Sequence, residues 1–280
     1  MKRAFLPFIL MVIFVGCTSA GKSGPPPAKR SNESKAPRNS VTVTHVFVAL
    51  CDNVNQGIVP VAPSLGNGDD PERNLYWGAA FGVKTFFSKS RDWLPLKTET
   101  ISNKFPKYIL DRRIFKHRTQ QVFIVAEAYR GIQIKRATED FLAAAAGIPG
   151  ETLNISAEGK TLTLNVGGSA DLVAYIGHDG LMDFALTSFP KKQDQEKRDA
   201  IILACASKRY FADSLRKTGA NPLLWTTNLM APEAYILSAA IDGWLRKETD
   251  EEIRVRAAKA YDKYQNCGLK SANKLFATGW

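Results

Sequence analysis

The sequence predicts an α/β fold with a mainly parallel central sheet and helices on both of its faces. The first observation is that short apolar segments, typical of buried strands, alternate along the chain with longer segments of helical periodicity. Strands joined through helices form right-handed βαβ units, in which the strands run parallel. The second is that 280 residues, of which 45% are hydrophobic, are enough to build such a domain around a sizeable core.

The first half of the predicted domain opens with a buried strand. Residues 41–51 are β-branched and apolar, and they end at the turn-forming pair Asp52 and Asn53. A loop rich in Gly, Pro and Asp follows, and apolar residues then recur at helical spacing. In this half we predict strands at 41–51, 93–96, 113–116 and 121–129, and helices at 75–87 and 132–146.

The second half repeats the alternation more regularly. Two apolar segments run directly into polar residues, one at His178 and the other at Cys205. Pro232 suits the start of a helix. In this half we predict strands at 162–166, 170–176, 200–204 and 222–226, and helices that end near 217 and 244 and that span 250–265.

Residues 1–16 are typical of a secretory signal peptide, because Lys2 and Arg3 precede an apolar stretch too short to span a bilayer. The sequence Phe14-Val15-Gly16-Cys17 resembles the lipobox of bacterial lipoproteins, with Phe14 in place of the usual Leu. The resemblance implies a diacylglyceryl group on the Cys17 thiol, cleavage before Cys17, and anchoring by acyl chains. The alternative is a plain signal peptide with an incidental cysteine.

Residues 17–40 are predicted to be the lipidated cysteine and a disordered tether, and residues 41–280 the folded domain. The tether is rich in Pro, Ser, Lys and Arg and has too few apolar residues to fold. Signal and tether carry six of the eleven net positive charges, which leaves the domain only mildly basic. No basic stripe with interleaved aromatic residues is present, so we predict no nucleic-acid partner. Thr18 stands where inner-membrane lipoproteins usually have Asp, which favours the periplasmic side of the outer membrane in a Gram-negative host.

His178 and Cys205 follow two consecutive predicted strands. In parallel sheets, catalytic groups gather beyond the carboxyl ends of the strands. An imidazole beside a thiol favours the thiolate nucleophile or supplies the acid for the leaving group. We therefore predict that His178 and Cys205 form a catalytic pair, and that backbone N–H groups beside them stabilise an oxyanion.

This arrangement resembles the caspase-like fold of the clan CD cysteine peptidases. In that clan one apolar strand runs into a histidine and the next into Ala-Cys, as Tyr175-Ile176-Gly177-His178 and Ile202-Leu203-Ala204-Cys205 do here. The likeness covers residues 41–244 and implies a three-layer caspase-like sandwich. It also implies an oxyanion hole made by the N–H groups of Asp179 and Cys205, although the family has Gly directly after the histidine.

The same resemblance implies that Asp52, Trp225 and Thr226 line the pocket for the residue before the cleaved bond. A carboxylate facing that pocket would favour Lys or Arg. The alternative for Asp52 is that it caps a loop by accepting backbone hydrogen bonds.

We predict no metal and no cofactor, because the cysteine spacing matches no zinc motif and no calcium loop is present. With Cys17 lipidated, three cysteines remain. A bond between Cys51 and Cys267 would leave Cys205 as a free thiol, whereas a bond between Cys51 and Cys205 would silence it.

These features predict a lipid-anchored cell-envelope cysteine peptidase that cleaves a peptide or protein substrate, with a preference for basic residues. The alternative is a catalytically inactive caspase-like lipoprotein that binds a peptide, a glycan or another protein. A Rossmann-like nucleotide site is disfavoured, because Cys51-Asp52-Asn53 stands where a glycine-rich turn would follow the first strand.

Overall fold

The computed structural model describes residues 41–96, 105–157 and 159–280. The predicted signal peptide, the tether and Cys17 lie outside the described residues. The strands are β1 Thr42–Ala49, β2 Trp93–Pro95, β3 Ile109–His117, β4 Val122–Tyr129, β5 Pro149–Ala157, β6 Lys160–Gly167, β7 Leu172–Ile176, β8 Asp199–Leu203, β9 Asn221–Thr226 and β10 Phe276–Ala277. The helices are α1 Val83–Ser88, α2 Ile134–Ala145, α3 Ser207–Thr218, α4 Ala234–Leu245, α5 Asp250–Gln265 and α6 Leu269–Leu275.

Eight of these strands form one central sheet in the order β10-β9-β8-β7-β1-β4-β3-β2. The five central strands, from β9 to β4, run parallel, while β10, β3 and β2 are antiparallel to their neighbours. β5 and β6 form a separate two-stranded hairpin. The predicted α/β class with a mainly parallel sheet is confirmed.

Alternate residues of β1 enter two different hydrophobic cores, because side chains alternate between the faces of a strand. Val46 and Val48 pack in a core to which α1, α4, α5 and α6 contribute. Phe47 and Ala49 pack in a second core with α2, α3 and the β5–β6 hairpin. Burial on both faces explains why the central strands are continuous apolar runs in the sequence.

The helix predicted at 75–87 is mostly a loop, and only α1 at its end is helical. The Asn74 side chain holds the start of this loop against the end of β1: its Oδ1 accepts from the Cys51 N–H at 3.0 Å and its Nδ2 donates to the Cys51 carbonyl at 2.8 Å. β5, α6 and β10 are elements that the sequence did not predict. Among the described residues, no helix is both long enough and apolar enough to cross a membrane.

Candidate active site

The ends of β7 and β8 place His178 and Cys205 at the same edge of the sheet. Ile176 and Leu203 are register partners in this parallel pair. His178 lies two residues after Ile176, and Cys205 lies two residues after Leu203. The Gly177 N–H donates to the Leu203 carbonyl at 3.3 Å, so the two chains stay together past the last strand residues. The structure thus places the two residues that the sequence predicts as a pair beyond the ends of neighbouring strands.

The backbone takes unusual conformations beside both residues. Gly177 has φ +151°, and a Cβ there would lie 2.8 Å from the Ala49 carbonyl oxygen at the end of β1, so glycine is required. Ala206 has φ 48°, in the left-handed region that residues with a Cβ seldom adopt. The chain therefore turns sharply from β8 into α3 at Ala206, directly after Cys205, and strand-to-helix turns of this kind elsewhere present nucleophiles at the top of a sheet.

The Cys205 thiol is held by one backbone segment. Its Sγ accepts from the Met230 N–H at 3.4 Å and donates to the Met230 carbonyl at 3.6 Å. Burial raises the pKa of Cys205, while the Met230 N–H lowers it and the negative charge of Asp179 raises it. The resting group is accordingly a thiol, and a base is needed to generate the thiolate.

Asp183 orients the imidazole of His178. The Nε2 atom lies 2.8 Å from Asp183 Oδ2, which also accepts from the Gly57 N–H at 2.9 Å. A carboxylate at this distance favours the tautomer with the proton on Nε2, and Nδ1 then remains able to take a proton. The contact between Asp183 and the imidazole was not predicted from the sequence.

Asp179 is fully buried and is not a wall of the cavity described below. Its Oδ1 accepts from the Leu181 N–H at 3.1 Å and caps the 3₁₀ turn Gly180–Met182, which leads to Asp183. Its Oδ2 has no hydrogen-bond partner among the described residues. Burial, with a further contribution from Asp183, raises the pKa of Asp179 to about 7 against the effect of the Leu181 N–H.

His178 and Cys205 open into one cavity of ≈ 480 Å³. Most of its walls are aliphatic, and they come from the loop after β1 and the loop after β9. The carboxylate among its walls belongs to Glu233, which is 9% exposed and whose Oε2 accepts from the Gln265 Nε2 at 2.9 Å. The lining residues are Gly57, Ile58, Val59, Val61, Leu75, Tyr76, Gly177, His178, Met182, Cys205, Leu229, Met230, Ala231, Pro232, Glu233 and Gln265.

The residues predicted to line the substrate pocket lie outside this cavity. Asp52 accepts from the N–H groups of Val54 and Asn55 at 2.9 and 3.1 Å, which is the loop-capping alternative. Trp225 is fully buried in the core on the α2 and α3 face, because the two-residue period of β9 turns it away from the cavity. Thr226 is buried as well, and its hydroxyl donates to the Ala204 carbonyl.

The described cysteines, Cys51, Cys205 and Cys267, are all free thiols. In the described part of the chain, no group of three or more His, Cys, Asp or Glu side chains has the arrangement of a metal site. Comparisons of the chain with family models, with curated proteins and with solved structures gave no match.

Proposed function

We propose that this chain is a lipid-anchored cell-envelope cysteine peptidase with a three-layer caspase-like fold. The observation that carries the proposal is the placement of His178 and Cys205. Each follows its strand by two residues, the strands β7 and β8 are parallel neighbours, and both residues line one cavity. Helices contribute to the cores on both faces of the sheet, which supports the three-layer arrangement.

In the proposed reaction, His178 takes the proton of the Cys205 thiol as Sγ attacks the carbonyl carbon of a peptide bond. A C–S bond forms, and the negative charge moves to the carbonyl oxygen. The amide N–H of Cys205 makes no hydrogen bond with other described residues, and it is the proposed donor to that oxygen. The N–H of Asp179, the other donor that the resemblance implies, belongs to a residue that is fully buried outside the cavity, so we do not assign it this role. The C–N bond then breaks as His178 protonates the leaving amine, and water hydrolyses the thioester to release a carboxylate and restore the thiol.

The preference for basic residues is best supported by Glu233 instead of Asp52. Glu233 is a wall of the same cavity as Cys205, and the other walls of that cavity are mainly aliphatic. A Lys or Arg side chain matches this environment, because its methylene stem packs on apolar walls while its charge pairs with a carboxylate.

Anchoring through Cys17 is proposed from the sequence pattern of residues 1–40 alone. On this proposal the acyl chains hold the domain at a membrane of the cell envelope, and the tether lets it reach a peptide or protein substrate.

A second candidate function is a non-catalytic module that binds a peptide, a glycan or a protein through the same cavity. The observation that favours it is the environment of Cys205, whose burial and nearby Asp179 charge oppose formation of the thiolate.

Hydrolysis of a fluorogenic peptide panel by the full-length protein separates the two functions. The panel carries Arg, Lys, Leu or Asp before the reporter group. We expect Cys205→Ala to lower kcat/KM by ~10³-fold or more, as removal of a nucleophile generally does. Cys267→Ala, which removes an exposed free thiol, is the matched control and should retain full activity. Equal hydrolysis by the wild type and Cys205→Ala would exclude catalysis by this residue, and no hydrolysis by either would favour the binding module.

A further inference from the structure

A second cavity of ≈ 330 Å³ lies on the other side of the central sheet, between β1, β3, β4, α2 and the β5–β6 hairpin. It differs from the first cavity in that ionisable side chains dominate its walls. Two guanidinium groups, Arg112 and Arg136, face three carboxyl groups, which belong to Glu127, Asp140 and Glu151.

Most polar atoms of this cavity already have partners. The Arg112 Nε donates to Glu127 Oε1 at 2.8 Å, and its Nη2 reaches both Glu127 and Glu151. His45 Nε2 lies 3.2 Å from Glu127 Oε2, and its Nδ1 accepts from the Gly167 N–H at 3.0 Å, which fixes the proton on Nε2. In the same cavity, Asp140 Oδ2 accepts from Arg136 Nε at 3.0 Å and from the Tyr129 hydroxyl at 3.1 Å.

Arg112 nevertheless keeps an unused donor. Its side chain is 2% exposed, and its Nη1 has no hydrogen-bond partner among the described residues. A buried N–H of a charged group without an acceptor is costly, and Arg112 is a wall of this cavity, so an oxygen atom brought next to Nη1 would relieve that cost.

The charged side chains in the walls indicate that the ligand also carries a positive charge. Apart from His45, three carboxyl groups face two guanidinium groups, so acidic side chains outnumber the arginines by one. A plain anion would satisfy Arg112 but add to this excess, whereas a plain cation would leave the Arg112 donor unused. A molecule that carries both a carboxylate and an ammonium group meets both requirements, and the volume is at the lower end of the range for small-molecule sites.

We propose that this second cavity binds a free α-amino acid, whose carboxylate accepts from Arg112 Nη1 and whose ammonium group pairs with Asp140. The binding does not depend on the peptidase proposal, because it uses none of the residues near Cys205.

Isothermal titration calorimetry of the full-length protein with each of the common L-amino acids tests this site. We expect saturable one-site binding of at least one amino acid. The two halves of that molecule are the matched ligands: for L-alanine, propionate lacks the ammonium group and ethylamine lacks the carboxylate. Each half should bind at least about tenfold more weakly, and sulfate should not compete.

Asp140→Asn should weaken binding by about tenfold or more, since it removes the charge that pairs with the ammonium group. The matched control is Asp242→Asn, because Asp242 and Asp140 each pair with an arginine four residues away on a helix. The control should bind like the wild type. Absence of saturable binding up to ~10 mM of every amino acid would overturn the proposal, as would equal binding of propionate or sulfate, or an unchanged affinity in Asp140→Asn.

Discussion

The two cavities of this domain use polar groups in opposite ways. The cavity at the carboxyl ends of β7 and β8 has mainly aliphatic walls, with a thiol, an imidazole and one carboxylate. The cavity beneath the β5–β6 hairpin has five charged side chains, and each of them makes at least one ion pair. Polar groups are therefore few in the first cavity and numerous in the second, where the charged side chains pair mainly with one another.

This difference indicates that the first cavity serves the proposed chemical reaction and that the second contributes to the stability of the fold. A group that reacts with a substrate must be able to change its partners, and Cys205 is held only by weak sulfur contacts with Met230. A buried charge in a network cannot lose its partner without a large penalty. We therefore expect substitutions in the first cavity to reduce activity and substitutions in the second to reduce the free energy of unfolding.

Arg112→Met provides the largest test of this contrast. It leaves the buried Glu127 carboxylate without its main cationic partner, so the free energy of unfolding should fall by about 3–5 kcal/mol. Arg246→Met is the control, because Arg246 is 64% exposed and its ion pair should contribute no more than ~1 kcal/mol. Urea denaturation measures both. A loss below ~1 kcal/mol for Arg112→Met would show that the network is dispensable.

Two buried carboxyl groups, Asp179 next to His178 and Glu127 in the second cavity, should impose opposite pH dependences on stability. The pKa of Asp179 is raised from 3.8 to about 7, so the folded state holds a proton that the unfolded state releases, and stability falls as the pH rises through this window. The pKa of Glu127 is lowered from 4.5 to about 2 because His45 and Arg112 outweigh the effect of burial. Its contribution is present above pH 4.5 and is lost as the pH falls toward 2.

Asp179→Asn should remove the first of these effects. We expect the variant to be more stable than the wild type by ~2 kcal/mol near pH 8 and to show no gain near pH 4. The gain is smaller than the pKa difference alone implies, because the new amide keeps an unpaired polar atom in a buried position. Denaturation midpoints measured across this pH range test it, and a gain that does not change with pH would contradict the assignment to Asp179.

The sequence predicted the fold well where periodicity alone decides the structure. The segments 170–176 and 200–204 correspond to β7 and β8, because short apolar runs of that length flanked by turn residues favour buried strands. The placement of His178 and Cys205 at the same edge of the sheet followed from the rule on strand ends. The residues that line the cavity could not be predicted in this way, because the direction of the Trp225 side chain depends on which face of β9 it occupies.

Two other features needed the tertiary structure. Asp183 approaches His178 only because Asp179 caps the short turn between them. The charged cavity joins residues 122 positions apart, such as His45 and Gly167. A partial signal was present in the sequence, because Glu127 interrupts an otherwise apolar strand and a buried carboxylate requires a partner.

Asp183→Asn tests whether the first cavity is built for catalysis. Loss of the carboxylate leaves the imidazolium that forms during the reaction without its counter-charge, so kcat should fall by roughly 10²-fold with little change in KM. Asp194→Asn, which affects a pair with Arg198 outside the cavity, is the control and should leave kcat unchanged. Steady-state kinetics on the fluorogenic peptide that the wild type hydrolyses fastest tests this prediction. Equal kcat values for the two variants would argue against a positioning role for Asp183.

Glu233→Gln should produce the smallest of these effects and the most selective one. The amide keeps the size of the side chain but removes the negative charge in the cavity. We therefore expect kcat/KM to fall by roughly 10-fold for peptides with Arg or Lys before the cleaved bond, and to stay the same for a peptide with Leu there. Glu248→Gln removes a carboxylate that pairs with Arg256 outside the cavity, so it should change neither value. A parallel decrease for basic and apolar peptides in Glu233→Gln would mean that Glu233 supports the structure of the cavity and does not select the substrate.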